Sequence, residues 1–134
     1  MADTVRTKSA LLALFPDNII GDISAQDQRD FLVSTMGSIT RTAVNAATYN
    51  LATDDIMLHV TYTVTGTVVI TLLTAQMNDG RVVHVCDAGG NATANNIVIN
   101  TEGSEKISGQ DTQTINVNNN SISLYSDGSN WFIF

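Results

Sequence analysis

Any chemistry in this chain has to come from a handful of side chains. His84 and Cys86 stand two residues apart in Val82-Val83-His84-Val85-Cys86. In a strand that spacing puts an imidazole and a thiol on one face, as a nucleophilic pair requires. A second imidazole, His59, sits between Leu58 and Val60; Asp54 and Asp55 are adjacent carboxylates, and Gly89-Gly90 is a backbone able to approach an anion closely. Each lacks what its chemistry needs. No third group is placed to orient His84, and both histidines alternate with apolar neighbours, so they read as surface or interface residues. Cys86 reads as a small buried hydrophobe. Neither an EF-hand spacing nor further carboxylates surround Asp54-Asp55, which leaves turn or capping roles. Ala88-Gly89-Gly90-Asn91 has no phosphate-loop lysine and no strand-to-helix context, and reads as a hairpin loop. A single cysteine rules out an internal disulfide and falls short of a thiolate zinc site. No cofactor, no metal and no enzymatic activity are expected.

The elements that would carry these residues are strands. From Ile56 to Val64, Ile56, Leu58, Val60, Tyr62 and Val64 alternate with Met57, His59, Thr61 and Thr63, the period of two that a half-buried strand shows. Further strands are expected at Thr67 to Leu73, Arg81 to Cys86, Asn96 to Asn100, Thr112 to Val117, Ser121 to Tyr125 and Trp131 to Phe134. Clusters such as Asn78-Asp79-Gly80, Asn118-Asn119-Asn120 and Asp127-Gly128-Ser129-Asn130 separate them. Short strands joined by tight turns predict a mainly β protein, an antiparallel β-sandwich or jelly-roll-like domain.

Composition narrows the partners. The chain has 134 residues, a formal net charge of −7 and six Lys plus Arg, too few cations for a nucleic-acid surface. No apolar run approaches the roughly 20 residues of a membrane span, so neither nucleic acid nor membrane is expected as partner. Charged residues make up 14%, while Thr, Asn and Ser together number 40, so the exterior is largely neutral. The charge falls unevenly: residues 1–42 hold nine charged side chains with net −1, and residues 43–134 hold ten with net −6. Two parts are expected, an N-terminal arm over 1–42 and a β domain over 43–134. In the arm, Ser9 caps a short helical piece carrying Leu11, Leu12, Leu14 and Phe15, which Pro16 stops. A second helix starts at Ser24 and ends at Gly37, with Ala25, Phe31, Leu32 and Met36 as a narrow apolar stripe that needs a neighbour.

The last residues, Trp131-Phe132-Ile133-Phe134, are apolar on both faces of a strand. One face can rest on the domain's own core. The other is covered either within the same chain, as in a central strand, or by another subunit; exposed, it would be an adhesive patch. The subunit reading makes the chain a self-associating assembly module whose contact includes Trp131, Phe132, Ile133 and Phe134 with Phe31 and Leu32.

The stretch from Tyr49 to Phe134 resembles a β module of tailed-bacteriophage virion proteins. The resemblance rests on Tyr49-Asn50-Leu51-Ala52-Thr53-Asp54-Asp55-Ile56-Met57-Leu58, Thr67-Val68-Val69-Ile70-Thr71-Leu72 and Asp79-Gly80-Arg81-Val82-Val83, followed by Ile97-Val98-Ile99-Asn100, Glu105-Lys106-Ile107-Ser108-Gly109 and Ser121-Ile122-Ser123-Leu124-Tyr125-Ser126-Asp127-Gly128-Ser129-Asn130-Trp131. Ile23 to Phe31 is similar to a helical piece that precedes such modules. The resemblance implies a homotrimeric, non-enzymatic virion protein, assembled in the host cytoplasm: a capsid decoration or head fibre docked on the major capsid protein or another virion protein through Leu11, Leu12, Leu14 and Phe15 of its arm. The alternative is a tail-fibre or spike module that recognises a host surface glycan or protein.

Overall fold

A computed structural model describes residues 41–134. Nine strands follow one another: β1 (Arg41–Val44), β2 (Thr48–Asn50), β3 (Met57–Val60), β4 (Val68–Leu72), β5 (Val82–Asp87), β6 (Ile97–Thr101), β7 (Thr112–Ile115), β8 (Ser121–Ser126) and β9 (Trp131–Ile133). Among the described residues the only helical element is a 3-10 turn, Thr74–Gln76. The expected N-terminal helices, with Leu11, Leu12, Leu14, Phe15, Phe31 and Leu32, lie outside the described residues.

The chain passes alternately between two sheets, ordered β1-β3-β5-β8-β9 and β2-β4-β6-β7. Within them β1, β3 and β5 run parallel, as do β2, β4 and β6, while β7, β8 and β9 add antiparallel strands. The mainly β, two-layered expectation therefore holds, but the antiparallel one does not: both sheets are mixed. The reason is connectivity. A strand that returns to its own sheet only after a pass through the other one travels in the same direction each time, so sheet neighbours are parallel. Ala88-Gly89-Gly90-Asn91, expected as a hairpin loop, is a crossover between the sheets, as is loop 61–67; the hairpins are β7 on β6 by way of loop 102–111, and Asp127–Asn130 between β8 and β9.

Alternation sets the faces. Leu58 and Val60 of β3, Val83 and Val85 of β5 and Leu124 of β8 point inward from the first sheet. They meet Val68, Ile70 and Leu72 of β4, Ile97 and Ile99 of β6 and Ile115 of β7 in a single core. Val44, Leu51, Ala92, Ile107 and Trp131 complete it. The strand expected from Ile56 to Val64 ends at Val60, and Val64 is 64% exposed. Strands β1 and β2 precede the first strand expected; each lies at a sheet edge, and of their seven residues only Val44 is buried, too little apolar signal for a strand. Arg41 and Thr42, expected in the arm, already belong to β1.

Parallel winding gives the domain two distinct ends. Strand β1 begins at the end formed by loops 51–56, 73–81, 102–111 and 127–130. These loops carry Asp54 and Asp55, Asp79 and Arg81, Glu102, Glu105, Lys106 and Asp111, and Asp127. The opposite end, loops 45–47, 61–67, 88–96 and 116–120, has no Asp, Glu, Lys or Arg. Ten of the eleven acidic and basic residues from 41 to 134 lie at the first end, Arg41 included; the eleventh, Asp87, is buried at the close of β5.

Candidate functional site

The outer face of the first sheet brings most of the chemically distinctive residues together. Register aligns Val82 with Tyr125 and Tyr125 with Phe132, and in the next row Arg41 with Met57, Met57 with His84 and His84 with Ser123. Phe134 closes the second row by donating its N–H to the Ser123 carbonyl (3.2 Å). A third row runs from Ala43 through His59 and Cys86 to Ser121.

The rings form one cluster. Tyr125 stacks on Phe132 with centroids 5.3 Å apart and meets Phe134 edge-on at 5.9 Å, and Phe134 lies 6.1 Å from the His84 ring. Such offset and tilted contacts suit the ring quadrupoles. The cluster stands in the open: Phe134 is 66% exposed and Tyr125 39%. Trp131 is different. Only 1% exposed, it belongs to the protomer's own core, so of the four closing residues expected in a subunit contact it is turned inward. The split follows strand alternation, because Trp131 pairs with buried Ser126 whereas Phe132 pairs with exposed Tyr125.

The potential reactive groups do not assemble a reaction centre. His84 Nδ1 lies 2.8 Å from Ser123 Oγ, an imidazole–hydroxyl pair. No carboxylate among the described residues hydrogen-bonds that imidazole, so the pair lacks the orienting third member of a nucleophilic triad. Cys86 shares the face, as its spacing predicted, but is half-buried on the outside of the sheet rather than packed in the core. Its thiol points to the Leu58 carbonyl (3.5 Å). Burial, helped by the nearby Asp87 carboxylate, pushes the thiol pKa up, which disfavours the nucleophilic thiolate. Among the described residues no three His, Cys, Asp or Glu side chains are grouped to hold a metal ion.

The two buried carboxylates are structural. Asp55, expected in a turn, accepts hydrogen bonds from Thr42 Oγ1 (2.5 Å), Tyr49 Oη (2.8 Å) and the Ala52 N–H (2.7 Å), tying the first coil to its loop. Burial, with the Asp55 carboxylate beside it, pushes the Tyr49 pKa up to about 12. The Arg81 guanidinium donates to the carbonyls of Ala52 (2.8 Å), Asp55 (2.8 Å) and Thr53, clamping the same loop from β5. At the other end Asp87 accepts from the N–H groups of Asn91 (3.2 Å), Ala92 (2.9 Å) and Asn119 (3.1 Å). Burial alone would raise its pKa; the backbone donors of Ala92, Asn91, Asn119 and Gly90 together outweigh that and hold it below the ordinary carboxylate range. Sequence reading missed Asp87 and Arg81, since neither lies in a spacing motif; each acts through loops distant in the chain.

The scan against models of known protein families yields no match, and no curated protein matches the chain.

Proposed function

We propose that this chain is a structural protein of a tailed-phage virion, a capsid decoration or head fibre that assembles as a homotrimer and docks through its N-terminal segment. The observation that carries the reading is the aromatic outer face of the first sheet. Tyr125, Phe132 and Phe134 stand beside His84 and Met57 with no cover among the described residues, on a domain whose reactive side chains form no triad and no metal cluster. An exposed aromatic patch on a domain otherwise rich in Asn and Thr is what a subunit contact presents before assembly. Aromatic residues are also the side chains that most often dominate the energy of such contacts.

Sedimentation of the full chain at micromolar concentration tests the assembly: a trimer is expected, with Phe134→Ser sedimenting as a folded monomer. A wild-type chain that stays monomeric defeats it. Counting copies per particle by quantitative gel tests the location; hundreds support the capsid, and a dozen or fewer place the chain on a tail.

A further inference from the structure

We infer that Asn120 is a modification site: the backbone nitrogen of Ser121 attacks the Asn120 side-chain amide, which leaves a mixture of aspartate and isoaspartate at the entry to β8. The inference stands apart from the virion reading.

The reaction needs a peptide nitrogen held close to the side-chain carbon of the preceding asparagine, not committed to another acceptor and not screened by a bulky side chain. Most asparagines of the domain fail that test. The N–H after Asn50 donates to the Thr71 carbonyl (2.9 Å), the one after Asn130 to the Lys106 carbonyl (2.9 Å) and the one after Asn119 to the Val117 carbonyl (3.3 Å). The Asp87 carboxylate holds the N–H groups after Asn91 (2.9 Å) and Asn118 (3.1 Å). Asn95 is buried, and Asn96, Asn100 and Asn116 precede Ile97, Thr101 and Val117, whose side chains branch at Cβ beside the nitrogen. Asn78 precedes Asp79, a carboxylate that repels the hydroxide the reaction starts with, so Asn45 before Ala46 is the remaining rival.

Asn120 meets each requirement. It and Ser121 are exposed, just past a turn in which Asn119 takes a φ of 60°. The Asn120 carbonyl faces β5 and accepts the Asp87 N–H (2.9 Å). Backbone groups alternate sides along a strand, so Ser121 turns its N–H the other way, to the side on which the Ser123 carbonyl accepts the Phe134 N–H. Strand β9 pairs with Leu124 to Ser126, and Phe134 extends that contact only as far as Ser123. Ser121 lies two residues further on, and its N–H donates to Asn120 Oδ1 instead (2.9 Å). Oδ1 and Cγ are one bond apart, so the nitrogen already stands against the carbon it must reach. The short serine side chain leaves that approach open.

The step uses only water and hydroxide. Hydroxide takes the Ser121 N–H proton, the nitrogen bonds to Asn120 Cγ, and the Cγ–Nδ2 bond breaks as ammonia leaves with a proton from water. Water then opens either carbonyl of the resulting succinimide, giving aspartate or isoaspartate with no change in oxidation state. Either product adds a carboxylate to loop 116–120, which has none, and isoaspartate also lengthens the backbone by one carbon beside the bond to Asp87.

The test is peptide mapping by mass spectrometry of the full chain aged in mildly alkaline buffer, with a parallel sample in urea. In the folded chain Asn120 is expected to convert roughly tenfold or more faster than any other asparagine of residues 41–134, with isoaspartate among its products and at about its rate in urea. Ser121→Val, which sets a branched side chain beside the nitrogen, is expected to slow the conversion roughly tenfold at a matching thermal midpoint. First conversion at another of these asparagines overturns the inference. So does a rate at Asn120 that folding lowers roughly tenfold or more, or a folded Ser121→Val chain that converts as fast as the wild type.

Discussion

Replacing Asp87 by Asn tests whether one carboxylate holds loops 88–96 and 116–120 of the uncharged end together. In the native domain Oδ1 accepts one backbone N–H and Oδ2 accepts two, on a side chain only 4% exposed. An asparagine keeps one acceptor oxygen, and its NH2 group must face a donor. The best arrangement keeps the Ala92 and Asn119 bonds as neutral ones and leaves the Asn91 N–H unsatisfied. Hydrogen bonds to charged groups contribute about 1.5–3 kcal/mol each, against about 1 for neutral ones, so replacing three of the first kind by two of the second loses roughly 2.5–7 kcal/mol at pH 7. For a domain near 100 residues that lowers Tm by roughly 10 °C or more. Denaturant titration at several pH values is the assay, and the sign of its pH dependence is fixed. The folded pKa is depressed, so the carboxylate's contribution is complete above the unfolded value of about 3.9 and disappears as pH falls through the folded value. The gap between wild type and Asp87→Asn should therefore begin to narrow as pH falls below about 4. A loss under about 1 kcal/mol at pH 7, or a gap that does not narrow as pH falls below about 4, refutes the anchor role.

Other consequences follow from the same geometry. Spectrophotometric titration should show one tyrosine ionising only near pH 12, a step that Tyr49→Phe removes; the raised pKa means its stabilising contribution fades between about pH 10 and about pH 12. Trp131→Ala should cost roughly 3–5 kcal/mol in denaturant titration, whereas Phe134→Ala, three residues later and on the surface, should change protomer stability by less than about 0.5 kcal/mol. Arg81→Met should cost about 1–3 kcal/mol and speed amide exchange in loop 51–56, because three carbonyls lose a charged donor that is partly exposed to water.

Much of the strand content was legible in the chain. Period-two alternation placed Leu58, Val60, Val83 and Val85 on one face and Met57, His59 and His84 on the other, and Asp127-Gly128-Ser129-Asn130 marked a true hairpin. There Asp127 accepts the N–H groups of Ser129 and Asn130 (2.8 Å each) and Gly128 takes a φ of 87°. These are local properties, fixed by side-chain period and by turn chemistry within a few residues. Pairing is not local. Nothing in Met57-Leu58-His59-Val60 says that its neighbours are Arg41–Val44 and Val82–Asp87, or that all three run the same way. That choice comes from burying one continuous core between two sheets, and only the tertiary structure decides it. The same winding turns Trp131 inward and leaves Phe134 out, sets His84 against Ser123, and sends the charged loops to one end and the Asn and Thr loops to the other. Alternation tells a residue which side of its strand it occupies, but what lies on that side depends on chain tens of residues away.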